Sequence, residues 1–253
     1  MSSDATTVIH VSDMHFNEED VYSSNYDSLA AYKEHAYDQL DRLSDDVDIA
    51  MFSGDCGDQQ DWDELDAWMD QFDDHYSIIG NSDTIGDYRE ADDVDDPAML
   101  ADNAQTQTLE VTEDISYEIL HSHNPRHVGI APGNDPDRHA YIDDADNDRG
   151  QARAADGDHD INVTAHYHGE GSFVMEDGKL TLQAGSTADT YITNDAVMPD
   201  TSVQKLHFED NTVTVQHIDF ATGETIEQRE YHRTDDGFEL VSDDGIPTEQ
   251  RYA

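Results

Sequence analysis

"VDIAMFSGDCGD", residues 47 to 58, is the stretch on which the fold turns. From Val47 to Ser53 the run is mostly apolar and of strand length. A strand solvated on one side would alternate apolar with polar residues, so this one is predicted to be buried on both faces, as in a parallel sheet covered by helices. It stops abruptly in Gly54-Asp55-Cys56-Gly57-Asp58, a turn rich in carboxylates. The next segment carries Trp62, Leu65, Trp68, Met69 and Phe72 at helical spacing, with Asp61 placed to cap it.

The same alternation extends outward. "TTVIHVS", residues 6 to 12, reads as a strand ending at Asp13-Met14-His15. A helix follows from Asp27 to Leu43, with Leu29, Tyr32, Ala36, Leu40 and Leu43 along one side. "HYSII", residues 75 to 79, is a third strand and ends in Gly80-Asn81-Ser82-Asp83. Residues 84 to 107 are polar and acidic, a loop with a helical turn near "DDPAMLADNA". "TLEVTEDISYEILHSH" alternates and turns at Glu113-Asp114, which predicts a hairpin. Residues 126 to 160 are rich in Asp, Gly and Pro and read as an acidic insertion loop. "INVTAHYH", "KLTLQAGST", "SVQKLHFEDN" and "TVTVQHIDF" read as four further strands, with a turn at Asp210-Asn211. The expected architecture is α/β: two packed mixed β-sheets flanked by helices. One domain is expected over residues 1 to 233, with 234 to 253 as a loosely attached C-terminal tail.

Composition speaks to the solvent. The chain has 60 acidic and 12 basic residues, a formal net charge of −48, with 44 Asp and only 3 Lys. In dilute buffer such charge pushes a compact state apart. Recurrent apolar runs and 8% aromatic residues argue against disorder. At molar salt the Debye length falls to about 3 Å and the repulsion fades. The surface resembles that of proteins from organisms with molar salt in the cytoplasm, so a halophilic, haloarchaeal host is inferred. One cysteine, Cys56, rules out an intramolecular disulfide. No apolar run approaches the roughly 20 residues of a membrane span, and no signal peptide is read at the N-terminus. A cytoplasmic protein without a membrane partner is expected.

The polar clusters fall at the carboxyl ends of the predicted strands, where open α/β sheets bind ligands. They are Asp13 with His15, Asp55, Asn81, His121, and His166 with His168. One D-x-H or one G-D says little in a chain this rich in Asp. Five clusters at five strand ends say more. Carboxylate, imidazole and one amide oxygen together suit transition metals better than Ca or Mg.

In this order the clusters resemble the motifs of the calcineurin-like metallophosphoesterases: D-x-H, G-D-x-x-D, G-N-H-D/E, a lone His, and G-H-x-H. They stand here as Asp13-Met14-His15, Gly54-Asp55-Cys56-Gly57-Asp58, Gly80-Asn81-Ser82-Asp83, His121-Ser122 and Ala165-His166-Tyr167-His168. The likeness runs from about residue 7 to 187, including "LQAGST", and is strongest to the small phosphodiesterase branch. It implies a four-layer α/β/β/α sandwich and a bimetal site, Mn first and Fe, Zn, Ni or Co as alternatives. Asp13, His15 and His168 would hold one ion, Asn81, His121 and His166 the other, and Asp55 would bridge them. Two such cations activate a shared water and neutralise phosphate oxygens. The catalytic expectation falls on Asp55 and Asn81. His123 is the substitute proton donor, because Ser82 stands where the family often has His. Asp58 and Asp83 are candidates to support the ligands. The implied substrate is a small phosphoester. A DNA-repair type of nuclease is disfavoured: there is no basic stripe, and molar salt removes phosphate-contact affinity. A scaffold without catalysis is the other alternative, and the sequence leaves the oligomeric state open.

Overall fold

The structure is a computed structural model. It describes residues 5–17, 26–80, 82–83, 105–111, 115–123, 158–166, 171–175, 177–188, 192–193, 196–197 and 201–245. Asn81, His168, the loop after Asp83 and nearly all of the acidic insertion lie outside them.

The described elements run β1 (Thr6–Val11), α1 (Leu29–Leu43), β2 (Ile49–Phe52), α2 (Gln59–Met69), β3 (Asp74–Ser77), β4 (Gln105–Glu110), β5 (Ser116–His121), β6 (Ile161–Thr164), β7 (Gly171–Val174), β8 (Leu180–Gln183), β9 (Ile192–Thr193), β10 (Ala196–Val197), β11 (Ser202–Glu209), β12 (Thr212–Asp219), β13 (Thr225–Thr234) and β14 (Gly237–Gly245). One sheet has the order β14-β13-β12-β11-β1-β2-β3, another β4-β5-β6-β8-β7, and β9 and β10 form a separate pair. Both larger sheets are mixed. In the first, β1, β2 and β3 are parallel and β11 joins β1 antiparallel. In the second, β5, β6 and β8 are parallel, with antiparallel β4 and β7 at the edges.

All four residues of β2 are buried, as its unbroken apolar run predicts. One apolar core joins Ile9, Val11 and Phe52 to Tyr32, Ala36 and Leu40 of α1 and to Trp62, Leu65 and Trp68 of α2. A second core joins Val8, Met51, Leu206 and Val213 of the seven-stranded sheet to Ile119, Ile161, Val163 and Leu182 of the five-stranded one. Helices therefore cover one face of the larger sheet and the smaller sheet covers the other. Among the described residues no helix is long and apolar enough to cross a membrane.

Three local readings change. Asp58, not Asp61, is the N-cap of α2: its side chain accepts from the Gln60 and Asp61 amides, and Asp61 returns the bond to the Asp58 amide. This capping box needs an acceptor three residues further on, which Asp61 supplies. Residues 225–234 carry no strand pattern in the sequence, and residues 237–245 fall within the expected loose tail. They form the antiparallel hairpin β13–β14. Tyr231 and Phe238 are buried from these strands, while Leu240 and Val241 remain exposed. A strand with one anchoring apolar residue leaves no alternation to read. Arg233 then ties β13 to the smaller sheet, donating to the Ser116 carbonyl at 2.8 Å and to Asp160 at 2.9 Å.

Candidate metal centre

Four candidate residues leave their strands in the left-handed region: Asp13 (φ 53°), His15 (φ 49°), Asp55 (φ 60°) and His166 (φ 74°). For residues with a Cβ this conformation is strained, and it persists only where surrounding contacts enforce it. Here the loops after β1 and β2 enforce it on each other. The Asp13 amide donates to the Gly54 carbonyl at 3.0 Å, His15 to Asp55 at 2.9 Å, and Phe16 to Cys56 at 2.8 Å. Behind them, the Tyr32 hydroxyl of α1 donates to the Met14 carbonyl at 2.9 Å. The strain turns both carboxylates toward one point.

Asp55 is the hub. His15 Nε2 lies 3.7 Å from Asp55 Oδ2 and 3.8 Å from Asp13 Oδ1. On the other side, His123 Nε2 lies 3.4 Å from Asp55 Oδ2 and 3.2 Å from His166 Nδ1. Two groups result, Asp13–His15–Asp55 and Asp55–His123–His166, with ligand atoms within 4.8 Å of one another in each. The rest of each carboxylate is used to hold it still. Asp55 Oδ1 accepts from the Ser82 amide at 2.7 Å. Asp13 Oδ2 accepts from the Ser12 hydroxyl at 2.7 Å and the His166 amide at 3.2 Å.

Asp83 supports the hub from below. Its two oxygens accept from the amides of Asp55 (3.0 Å), Gly57 (2.9 Å) and Gly80 (2.7 Å), locking the second and third motif loops together. The packing explains two glycines. A Cβ on Gly54 (φ 95°) would sit 2.6 Å from the Gly80 nitrogen and 2.8 Å from His123 Nδ1, and one on Gly80 would collide with the Asp55 carboxylate.

Charge follows geometry. Burial alone would raise the Asp55 pKa, and the Asp13 carboxylate adds to that. His123, by charge and hydrogen bond, outweighs both and holds Asp55 below its ordinary value. Burial pulls His123 down, but the Asp55 charge overrides it and pushes His123 up to about 9. Two buried carboxylates thus draw a positive charge onto the nearest imidazole. Two carboxylates and three imidazoles around one shared carboxylate match a pair of divalent transition ions, which would satisfy the same demand.

The structure brings together Asp13, His15, Asp55 and His166, and His121 is in neither group. His121 Nε2 bonds the Ser53 hydroxyl at 2.8 Å and its ring packs edge-on to His10. His123, expected as a proton donor, is the histidine that faces Asp55. The reason is local: β5 ends at His121, so the two-residue alternation no longer relates the pair. The H-x-H pattern marked two candidates without a way to choose. His10 and Ser53 escaped notice altogether. Their signal was a lone His and a Ser on the inward side of otherwise apolar strands.

No protein-family model and no curated protein sequence matches the chain. Solved structures do. A conserved uncharacterised protein from Streptococcus pneumoniae, described as a predicted phosphoesterase, aligns with TM-score 0.51 and 15% identity, over 94% of this chain and 98% of that one. Wild-type Vps29 from Entamoeba histolytica, complexed with Zn2+, aligns with TM-score 0.50 and 17% identity, over 94% and 99%. At such identity the likeness is one of fold, and the shared fold is the sandwich of two mixed sheets that sets Asp13 and Asp55 side by side.

Proposed function

We propose that this protein is a metal-dependent phosphoesterase, acting as a phosphodiesterase on nucleotide-like or other small phosphate esters. One observation carries the reading: two carboxylate–imidazole groups, buried except for the half-buried His166, share the Asp55 carboxylate. Asp13 and His15 would hold one ion and His123 with His166 the other, and Asp55 would serve both. Asn81 and His168 would complete the two sets. Manganese is the first choice, with Fe, Zn, Ni or Co as alternatives. Bound, the pair would supply a nucleophilic water near neutral pH and neutralise charge on the phosphoryl oxygens.

The chain's own residues then divide the work. Asp83 and the two glycines keep the motif loops in contact, so that Asp55 cannot turn away. Ser82 offers its amide to Asp55 rather than a proton to substrate. With His123 counted among the ligands and Ser82 where the resembled family often has His, the reading favours esters with good leaving groups. The reading includes a cytoplasm of molar salt as the working solvent. The likeness to Vps29 supports a scaffold as the second reading.

The test is metal analysis and hydrolysis together. Protein purified in roughly 2–4 M KCl, the strongly screened regime, should hold about two manganese ions and cleave bis(4-nitrophenyl) phosphate. Protein that binds no divalent metal would end this reading, and metal without hydrolysis would favour the scaffold.

A further inference from the structure

Behind the cluster a second polar chain runs between the two sheets. Gln204 of β11, His10 of β1, Ser53 after β2 and His121 of β5 are all buried to 0% exposure. Their partners set the direction of each bond. The Gln204 amide nitrogen donates to the Gly171 carbonyl at 2.9 Å, so its oxygen faces His10 Nδ1 at 2.8 Å. An amide oxygen only accepts, so His10 carries its proton on Nδ1. A neutral ring must then accept at Nε2, where the Ser53 hydroxyl lies at 2.7 Å. That hydroxyl has its one proton directed at His10, so it accepts from His121 Nε2 at 2.8 Å.

Ser53 is also the link to the cluster. Its amide donates to the Val11 carbonyl at 3.0 Å, and its carbonyl accepts from His123 Nδ1 at 2.5 Å. A carbonyl only accepts, so it fixes the proton on His123 Nδ1. The nitrogen left for a cation is Nε2, the one that faces Asp55 and His166. Partners of this kind orient a ligating imidazole and select its tautomer.

We propose that His10 and Gln204, which touch neither carboxylate, are positioning residues for His123: by clamping Ser53 from its side chain, they aim the carbonyl that orients the His123 ring. The inference rests on the metal-centre reading above. The same clamp explains His121. With Ser53 already donating to His10, an Nε2–H donor is needed on the opposite side, and His121 fills that place rather than one in the cluster.

The experiment compares His10→Met with His10→Gln in the full chain at high salt. Met keeps volume without polar atoms, whereas Gln keeps one donor and one acceptor. Manganese affinity is measured by competition with a chromophoric chelator. The His123 Nδ1 proton is followed by 15N–1H NMR of the metal-free protein. His10→Met should weaken manganese binding severalfold, less than the roughly 10–100-fold cost of losing a partner bonded directly to a ligand, and move the His123 resonance upfield. His10→Gln should restore most of both. If His10→Met does not fold, Gln204→Met, which leaves both histidines in place, gives the same readouts with the same expected direction. A folded His10→Met or Gln204→Met protein with unchanged affinity and an unmoved His123 resonance would overturn the positioning role. A wild type that binds no manganese would instead overturn the phosphoesterase reading, and the resonance would still decide whether His10 sets His123.

Discussion

Two buried histidine groups stand back to back across Ser53, and they behave in opposite ways. His123 faces the Asp55 carboxylate and is pushed up to about 9. His10 faces Gln204 and Ser53, and burial drives it down to about 4. Burial also holds His121, beside it, well below its ordinary value. All three are completely enclosed, so enclosure does not separate them. The partner does. A buried imidazole beside a carboxylate becomes the place where charge collects, whereas beside an amide and a hydroxyl it remains a neutral relay. A metal centre is therefore not marked by clustered histidines but by histidines that share a carboxylate.

Removing that carboxylate's charge should break the contrast most completely. Asp55→Asn should lose at least one metal equivalent and cost several orders of magnitude in hydrolysis, because both groups depend on this residue. Metal analysis beside kcat/KM is the measurement, and a variant retaining both ions and wild-type rate would refute the hub.

The two histidines of the H-x-H pair provide the next test. His123→Gln should lose the ion held with His166. His121→Gln should keep full metal content and instead lose about 1–3 kcal/mol of stability from a disturbed buried hydrogen bond. Calorimetric metal titration and chemical denaturation distinguish these outcomes. Reversed results would restore His121 to the cluster.

Salt should act on neither group but on the surface around them. With 60 acids and 12 bases, dilution should lower Tm steeply through lost screening. The difference between the two variants should survive at every salt concentration at which both fold. A flat Tm against KCl would mean that the acidity has another cause.

The pH dependence of metal-free protein has a limb for each side of Ser53. His10 is depressed from 6.5 to about 4, so the stability it contributes is present above pH 6.5 and lost as pH falls through about 4. His123 is raised from 6.5 to about 9, so its contribution is present below pH 6.5 and lost as pH rises through about 9. Denaturation against pH should show that His10→Gln flattens the acid limb and His123→Gln the alkaline one. The smallest effect belongs to Ser82→Ala. The bond to Asp55 comes from the backbone amide, so the change should cost roughly 1 kcal/mol or less, a fewfold in rate.

The residues of the centre were legible to unequal degrees. Asp13, His15, Asp55 and His166 stand at strand ends, and a strand end is visible in sequence as an apolar run that stops. His121 and His123 were indistinguishable because both belong to one short polar stretch. The β13–β14 hairpin leaves no pattern in the sequence because each strand buries a single large apolar side chain.

What the sequence determined by itself was order: strand, turn with carboxylates, helix, and strand again, with β2 too apolar to lie anywhere but between two layers. Those are local properties, set by side-chain pattern along a few residues. Only the tertiary structure decided which imidazole carries charge. His10, Ser53 and Gln204 come from β1, the end of β2 and β11, separated by 43 and 194 residues along the chain in their two contacts. The protonation of a buried ring depends on the atoms within hydrogen-bonding distance of it, and here those atoms are supplied by strands that meet only in the folded sheets.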